Sequence, residues 1–163
     1  MCKVLYTGSF DPITKGHMNI IEQASSLFDE VIIAVLQNSS KKNSFFSIEE
    51  RVQIIKELYK NNENVKVITG KGAAVDIAIA NNCRAIVRGL RGLSDYDYEV
   101  QLANINKDIS NNKVITLCLF ADNEYQFISS SIVKEVFKLS KSISKYVPSL
   151  VEQKMIEKRD DIK

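Results

Sequence analysis

The stretch that decides the fold is residues 3–17, which reads KVLYTGSFDPITKGH. Its apolar run, Val4–Thr7, predicts a buried strand. The chain then turns at Asp11-Pro12 and restarts as an amphipathic helix over Met18–Phe28. The N–H groups and the positive dipole end of a helix N-terminus attract anions. We therefore expect the Ser9 hydroxyl and His17, the one histidine of the chain, to lie at an anion site.

Strand-like and helix-like patterns alternate along the whole chain. The predicted strands are Val4–Thr7, Val31–Leu36, Val65–Thr69, Ala85–Val87 and Val114–Phe120. The predicted helices are Met18–Phe28, Ile48–Tyr59, Ala73–Ala80, Tyr96–Ile109, Ile132–Leu139 and Ser149–Lys158. Apolar strands that alternate with helices predict an α/β fold: a five-stranded parallel sheet, doubly wound, with helices on both faces. We expect one domain over residues 1–163, with a charged tail that frays after about residue 158.

Composition excludes several classes of protein. A net charge of +2 argues against a protein that coats nucleic acid. No apolar run approaches the roughly 20 residues of a membrane span, and no leader segment is recognisable. Three widely spaced cysteines, Cys2, Cys83 and Cys118, fit neither a disulfide framework nor a zinc site. We expect Cys83 and Cys118 to fill the core, and we expect a cytoplasmic protein without nucleic-acid or membrane partners.

Three more polar motifs follow predicted strands, at the edge of the sheet where ligands bind in such folds. The loop Asn38–Lys42 offers lysines suited to a phosphate, although a solvated loop is the alternative. The segment Arg88–Gly92 offers two arginines that can clamp phosphate oxygens. Unpaired arginines at a strand end have little structural use, so we favour a functional role. The carboxylates of Asp95–Glu99 suit the start of the next helix.

The fourth motif is Tyr125–Ser131, in which three serines open a helix. One serine would suffice as an N-cap, so three predict a donor-rich anion cup, with a cap and polar neighbours as the alternative. Together the four motifs predict a crevice that neutralises several phosphates. The chain has neither a dinucleotide fingerprint nor a P-loop, and no metal-ligand cluster. This pattern favours phosphoryl or nucleotidyl transfer, in which positioning and charge stabilisation do most of the catalysis.

Two of these motifs resemble signatures of the nucleotidyltransferase superfamily. Thr14–His17 resembles (H/T)-x-G-H, and Ile128–Ser131 resembles I-S-S-(S/T). With Gly8–Pro12, Arg88–Arg91 and Asp95–Glu99, the chain resembles the bacterial phosphopantetheine adenylyltransferases from residue 3 to about residue 158. The resemblance implies a Rossmann-like nucleotidyltransferase fold.

The same resemblance implies an activity and its cofactor. ATP and 4′-phosphopantetheine would give 3′-dephospho-CoA and pyrophosphate, the penultimate step of coenzyme A biosynthesis. The attack would be in line, without a covalent enzyme intermediate, and would use Mg²⁺ held by phosphates and water rather than by side chains. A homohexamer and feedback binding of coenzyme A would also be expected.

The resemblance assigns roles to individual residues. His17 would donate to the α-phosphate, Lys41 would bridge the attacking phosphate and the α-phosphate, and Arg91 and Ser130 would hold the β- and γ-phosphates. The substrate-binding residues would be Ser9, Lys41, Ala74 and Arg88. The ATP-binding residues would be Ser9, Phe10, His17, Gly89, Leu90, Arg91, Glu99, Tyr125, Gln126, Phe127, Ile128, Ser129, Ser130 and Ser131.

Two alternatives stay open. One is an adenylyltransferase for another phosphorylated acceptor, such as nicotinate mononucleotide. The other is a non-catalytic nucleotide-binding protein on the same fold. The complete pattern of Arg88–Arg91 and Tyr98-Glu99 disfavours another acceptor. A protein without catalysis would lack one of the residues expected to bind phosphate, and here all of them are present.

Overall fold

A computed structural model describes residues 2–37 and 44–161 of the chain. The strands are β1 (Lys3–Gly8), β2 (Glu30–Leu36), β3 (Val65–Gly70), β4 (Ala85–Leu90) and β5 (Ile115–Phe120). The helices are α1 (Lys15–Leu27), α2 (Ile48–Leu58), α3 (Ala74–Ala80), α4 (Leu93–Ile109), α5 (Ser130–Lys138) and α6 (Ser149–Asp161), with a 3₁₀ turn at Asn123–Tyr125.

The strands form a single parallel sheet in the order β3-β2-β1-β4-β5, which confirms the predicted fold class. Because β1 pairs with β2 on one side and β4 on the other, the strand order reverses between β1 and β4. In doubly wound sheets this reversal opens a crevice at the carboxyl ends of the two strands. The loops after β1 and β4 carry two of the predicted site motifs, so the topology brings them together.

Each face of the sheet has its own apolar core. Side chains alternate along a strand, so Val4 and Tyr6 of β1 join the larger core, whereas Leu5 joins the smaller one. The larger core includes buried residues of α1, α2, α5 and α6, and the smaller core includes buried residues of α3. Helices therefore cover both faces, as the sequence pattern predicts.

Helix α4 and edge strand β5 are packed differently from the other elements. The fully buried side chains described in α4 are polar, Glu99 and Asn106, and Asn106 donates to Thr116 Oγ1 at 3.3 Å. Cys83 is buried as predicted, but Cys118 is exposed, so the prediction that it fills the core is wrong. Cys118 lies on β5, which is an edge strand of the sheet. The exposed apolar side chains of α4 and β5 are Tyr96, Tyr98, Val100, Ile105, Ile109, Ile115 and Phe120.

The helix ends follow local capping and long-range packing. Ser47 and Glu50 form the predicted capping box at the start of α2. Helix α6 continues to Asp161, beyond the end expected near residue 158. Lys158 pairs with Glu50 there, and the Arg159 guanidinium lies 5.1 Å from the centre of the Phe137 ring.

In the described part of the chain, no helix combines the length and the apolar character needed to cross a membrane.

Candidate active site

A cavity of about 460 Å³ lies at the carboxyl ends of β1 and β4. Its wall comes from β1, β4, α1, α4, α5 and the loops that join them. The lining residues are Tyr6, Thr7, Gly8, Ser9, Thr14, Gly16, His17, Ile20, Arg88, Gly89, Arg91, Tyr98, Glu99, Ala121, Ile128, Ser129, Ser130 and Ser131. Residues from three of the four predicted motifs thus share one cavity.

The start of α1 fixes the position of His17. Thr14 is the N-cap of this helix, and its hydroxyl oxygen accepts the His17 N–H at 3.3 Å. In return, His17 Nδ1 accepts the Thr14 N–H at 3.0 Å. This is a capping box in which histidine occupies the position usually held by glutamate or glutamine. The same contacts that begin the helix therefore orient the imidazole toward the cavity.

These contacts also determine which ring nitrogen of His17 carries the proton. A backbone N–H can only donate, so the Nδ1 atom that accepts it carries no proton, and the neutral imidazole bears its proton on Nε2. Burial and the nearby Arg91 lower the pKa of His17 to about 4. At neutral pH the residue is therefore an uncharged hydrogen-bond donor at the cavity wall.

The depressed pKa of His17 predicts a pH dependence of stability. An unfolded histidine has a pKa of about 6.5, so between pH 6.5 and 4 the unfolded chain binds a proton that the folded chain does not. Stability is fully present above pH 6.5 and falls as the pH drops toward 4. We expect a loss of about 1–2 kcal/mol between pH 7 and pH 5. Urea unfolding at several pH values measures this loss.

Because the chain has one histidine, His17→Gln removes all imidazole titration. The variant should lose much less stability than the wild type over the same pH interval. Parallel curves for the two proteins would contradict the depressed pKa.

The Phe10 side chain packs against His17 and does not line the cavity. Its side chain is buried, and its ring packs edge-on against Tyr6 at 5.5 Å and against His17 at 5.2 Å between centroids. The ring occupies the space that a Cβ at Gly8 would need, because such an atom would lie 2.9 Å from Phe10 Cζ. Gly8 is thus required by the packing of Phe10. The role of Phe10 in ATP binding stays a prediction.

Arg88 and Glu99 form an ion pair in the cavity wall, which corrects the expectation of an unpaired arginine after β4. Arg88 lies within β4, and its Nε and Nη2 donate to the two carboxylate oxygens of Glu99 at 2.9 and 2.8 Å. Burial opposes the charge of Arg88, but the hydrogen bond and charge of Glu99 hold its pKa above the ordinary value. Glu99 is also not a first-turn residue that serves the helix dipole. It lies seven residues into α4.

The three serines have different surroundings. Ser129 is the N-cap of α5, and its hydroxyl oxygen accepts the Ile132 N–H at 3.2 Å. The Ser130 hydroxyl donates to the Pro12 carbonyl at 2.8 Å and so ties α5 to the loop after β1. Ser131 is exposed and lines the cavity. The three hydroxyls are therefore not equivalent. The anion cup at this helix end consists mainly of the first N–H groups of α5 and the Ser131 hydroxyl.

Arg91 lies at the mouth of the cavity, beside this helix end. Its side chain is exposed, and its Nη1 is 3.5 Å from the Ile128 carbonyl oxygen. The predicted convergence of Ser9, His17, Arg91 and the serines at one place is thus present. Gly89, also predicted, allows close packing of β4 on α1, since a Cβ there would lie 2.9 Å from Ile20 Cγ1.

Several predicted site residues lie elsewhere. Leu90 is buried, and Ala74 packs against the smaller core at the start of α3. Tyr125, Gln126 and Phe127 are not part of the cavity wall. Their roles, and that of Ala74, stay predictions. Lys41 lies outside the described residues.

The structure adds lining residues that the sequence reasoning missed. These are Tyr6, Thr7, Thr14, Ile20, Tyr98 and Ala121, besides the glycines of the first motif. Tyr6 and Thr7 belong to the first strand, whose apolar pattern predicts burial but gives no sign that its last residues reach the cavity. Thr14 belongs to the Thr14–His17 motif, and its structural role could have been found because a threonine three residues before the histidine suits the N-cap of a helix.

The donor set of the cavity does not fit a metal ion held by the protein. The carboxylate in its wall belongs to Glu99, which Arg88 occupies. Within residues 2–37 and 44–161, no group of three or more His, Cys, Asp or Glu side chains could hold a metal ion. A divalent cation in this cavity would need its ligands from phosphates and water.

A family model described as "Cytidylyltransferase-like" matches residues 5–136, which include most of β1, the cavity motifs and most of α5. The chain belongs to this family. The family lies within the nucleotidyltransferase superfamily, and membership supports a nucleotidyltransferase enzyme that uses a nucleoside triphosphate and a phosphorylated acceptor.

Two solved structures share the fold. One is a protein from Vibrio parahaemolyticus provisionally named a nicotinate-nucleotide adenylyltransferase, with a TM-score of 0.65 and 17% identity over 96% of this chain and 99% of that one. The other is the lipopolysaccharide core biosynthesis protein from Thermoplasma volcanium GSS1, with a TM-score of 0.56 and 23% identity over 75% of this chain and 97% of that one. At these identities the similarity concerns the fold.

Proposed function

We propose that this protein transfers the adenylyl group of ATP to 4′-phosphopantetheine and releases pyrophosphate. One observation carries the proposal: His17 is held as a neutral Nε2–H donor in a cavity that also contains Arg91 and the N-terminus of α5. A neutral donor stabilises negative charge that develops on a phosphate without transferring its proton. That property suits nucleotidyl transfer, in which the protein contributes mainly positioning and charge stabilisation.

In the proposed reaction an acceptor phosphate oxygen attacks the α-phosphorus of ATP. The new P–O bond forms as the bond from the α-phosphorus to the bridging oxygen breaks, and pyrophosphate leaves with that electron pair. His17 donates from Nε2 to an α-phosphate oxygen as charge builds there. Arg91 and the first N–H groups of α5 hold the β- and γ-phosphates, where the negative charge of the leaving group increases.

Arg88 is the proposed anchor for the acceptor phosphate. The Glu99 carboxylate accepts hydrogen bonds from Nε and Nη2 of the Arg88 guanidinium, so the N–H groups of Arg88 Nη1 can still donate to a ligand. The ion pair fixes the plane of the guanidinium in advance, which reduces the entropy lost when a phosphate binds. Lys41 is proposed to bridge the attacking phosphate and the α-phosphate.

The identity of the acceptor rests on the resemblance of the motif series to phosphopantetheine adenylyltransferases. Nicotinate mononucleotide is the second candidate, because the Vibrio parahaemolyticus protein of the same fold carries the name of an enzyme for that acceptor. The deciding experiment is pyrophosphate release from ATP with each acceptor offered separately. Mg²⁺ is proposed to arrive with the phosphates of ATP.

A homohexamer, with coenzyme A as a feedback ligand of the same cavity, is part of this proposal. The exposed apolar side chains of α4 support assembly, because a helix of 17 residues is ordinarily held by a buried apolar stripe. Ile105 and Ile109 of α4 are instead more than half exposed, and a second copy of the chain would cover them. Light scattering should give six chains, and a fully active monomer would contradict the assembly.

A further inference from the structure

Arg51 of α2 is a buried cation with unusual partners. Arg51 is only 4% exposed. Burying a charge is unfavourable unless hydrogen bonds or an opposite charge compensate it. Arg51 donates instead to three backbone carbonyls: Nε to Ser47 O at 3.1 Å, and Nη1 to Ser9 O at 2.6 Å and to Leu36 O at 3.3 Å. In the described part of the chain no ion pair joins it to a carboxylate.

The three carbonyls belong to three different segments of the chain, and one of these segments lines the cavity. Ser9 is the first residue after β1 and lines the cavity. Leu36 is the last residue of β2, and Ser47 is the N-cap of α2. One guanidinium therefore joins the ends of two neighbouring strands to the start of a helix. A planar fork of five N–H donors on three nitrogens suits such a contact, whereas the three donors of a lysine ammonium all lie on one nitrogen.

We propose that Arg51 is a positioning residue that holds the Ser9 loop in the conformation that binds phosphate. The inference rests on the proposed function to the extent that the cavity must bind the phosphates of ATP. Arg51 does not line the cavity, so it acts through Ser9 and not by touching the ligand.

The test compares ATP affinity, measured calorimetrically without an acceptor, in the wild type, Arg51→Met, Arg51→Lys and Ile55→Val. Ile55 is buried in the same helix and belongs to the larger core, so Ile55→Val lowers stability without touching a cavity segment. We expect Arg51→Met to bind ATP at least tenfold more weakly. Arg51→Lys should recover only part of that loss, and Ile55→Val should bind within twofold of the wild type.

A double variant tests the route through Ser9. Ser9→Ala keeps the backbone carbonyl that Arg51 contacts and removes only the hydroxyl that faces the cavity. If Arg51 acts by positioning that hydroxyl, the effect of Arg51→Met on ATP affinity should shrink when Ser9→Ala is already present, because both changes then weaken the same contact between Ser9 and phosphate. Fully additive effects would overturn the proposal. It would also be overturned if Arg51→Met matched Ile55→Val in ATP affinity, or if Arg51→Lys restored wild-type affinity.

The experiment separates this inference from the proposed function. If Arg51→Met does not fold, Arg51→Lys decides alone: a clear loss of ATP affinity supports the inference, and an unchanged affinity overturns it. If the wild type binds ATP with the expected dependence on Arg51 but releases no pyrophosphate with either acceptor, the proposed function fails and the positioning role stands. If the wild type does not bind ATP, the positioning role is overturned.

Discussion

Replacing His17 with alanine is expected to lower kcat about 10²–10³-fold and to change the KM for ATP much less. The reason is that its Nε2–H bond should strengthen as charge develops on the α-phosphate, so the loss falls mainly on the transition state. Steady-state rates of pyrophosphate release, measured over a range of ATP concentrations, provide both constants.

His17→Gln is the matched control, because glutamine at this position can restore the capping box with Thr14. It should regain most of the stability lost in His17→Ala, while kcat stays at least about tenfold below the wild type because the amide does not reproduce the position of Nε2. A rise in KM with kcat unchanged, in either variant, would contradict the proposed role of His17.

The second large effect is expected at the Arg88–Glu99 ion pair. The two side chains are 26% and 8% exposed, and Glu99→Gln would leave the Arg88 charge without its partner. Removing one member of such a pair should lower the free energy of unfolding by about 2–4 kcal/mol. Urea unfolding at neutral pH measures the change.

The control is Glu57→Gln, which removes a partner of Lys60 at a similar distance, 2.7 Å, but with both side chains more than half exposed. That change should be below about 0.5 kcal/mol. The double variant Arg88→Met/Glu99→Leu should regain much of the stability lost in Glu99→Gln, because an apolar pair needs no charge compensation. Similar losses for Glu57→Gln and Glu99→Gln would show that burial does not govern this pair.

The same pair should also affect catalysis. Arg88→Ala is expected chiefly to raise the KM for the acceptor, since the proposed contact of Arg88 is with the acceptor phosphate. An effect confined to ATP would show that this assignment is wrong.

The fold could be predicted from the sequence because its signals are local. Apolar β-branched runs such as Val31–Leu36 match β2, and the Ser47–Glu50 capping box marks the start of α2. The convergence of Ser9, His17 and Arg91 could also be predicted, because parallel strands deliver the residues that follow them to one edge of the sheet.

The features that could not be predicted depend on contacts between segments far apart in the sequence. The bond from Ser130 to Pro12 joins residues 118 positions apart, and no local pattern distinguishes it from a phosphate contact. Arg51 follows two glutamates in a helix with charged residues on its surface, so its composition predicts exposure rather than burial. Glu99 sits in a run of acids whose helix-dipole role is equally plausible from sequence, and only its distance to Arg88 reveals the ion pair.

The proposed transfer is tested most directly by pyrophosphate release from ATP with 4′-phosphopantetheine and nicotinate mononucleotide offered separately, in the wild type and in His17→Ala. We predict release only with 4′-phosphopantetheine, and a rate about 10²–10³-fold lower in the variant. Release only with nicotinate mononucleotide would contradict the proposed acceptor and retain the mechanism. No release with either acceptor, despite ATP binding, would contradict the proposed transfer itself.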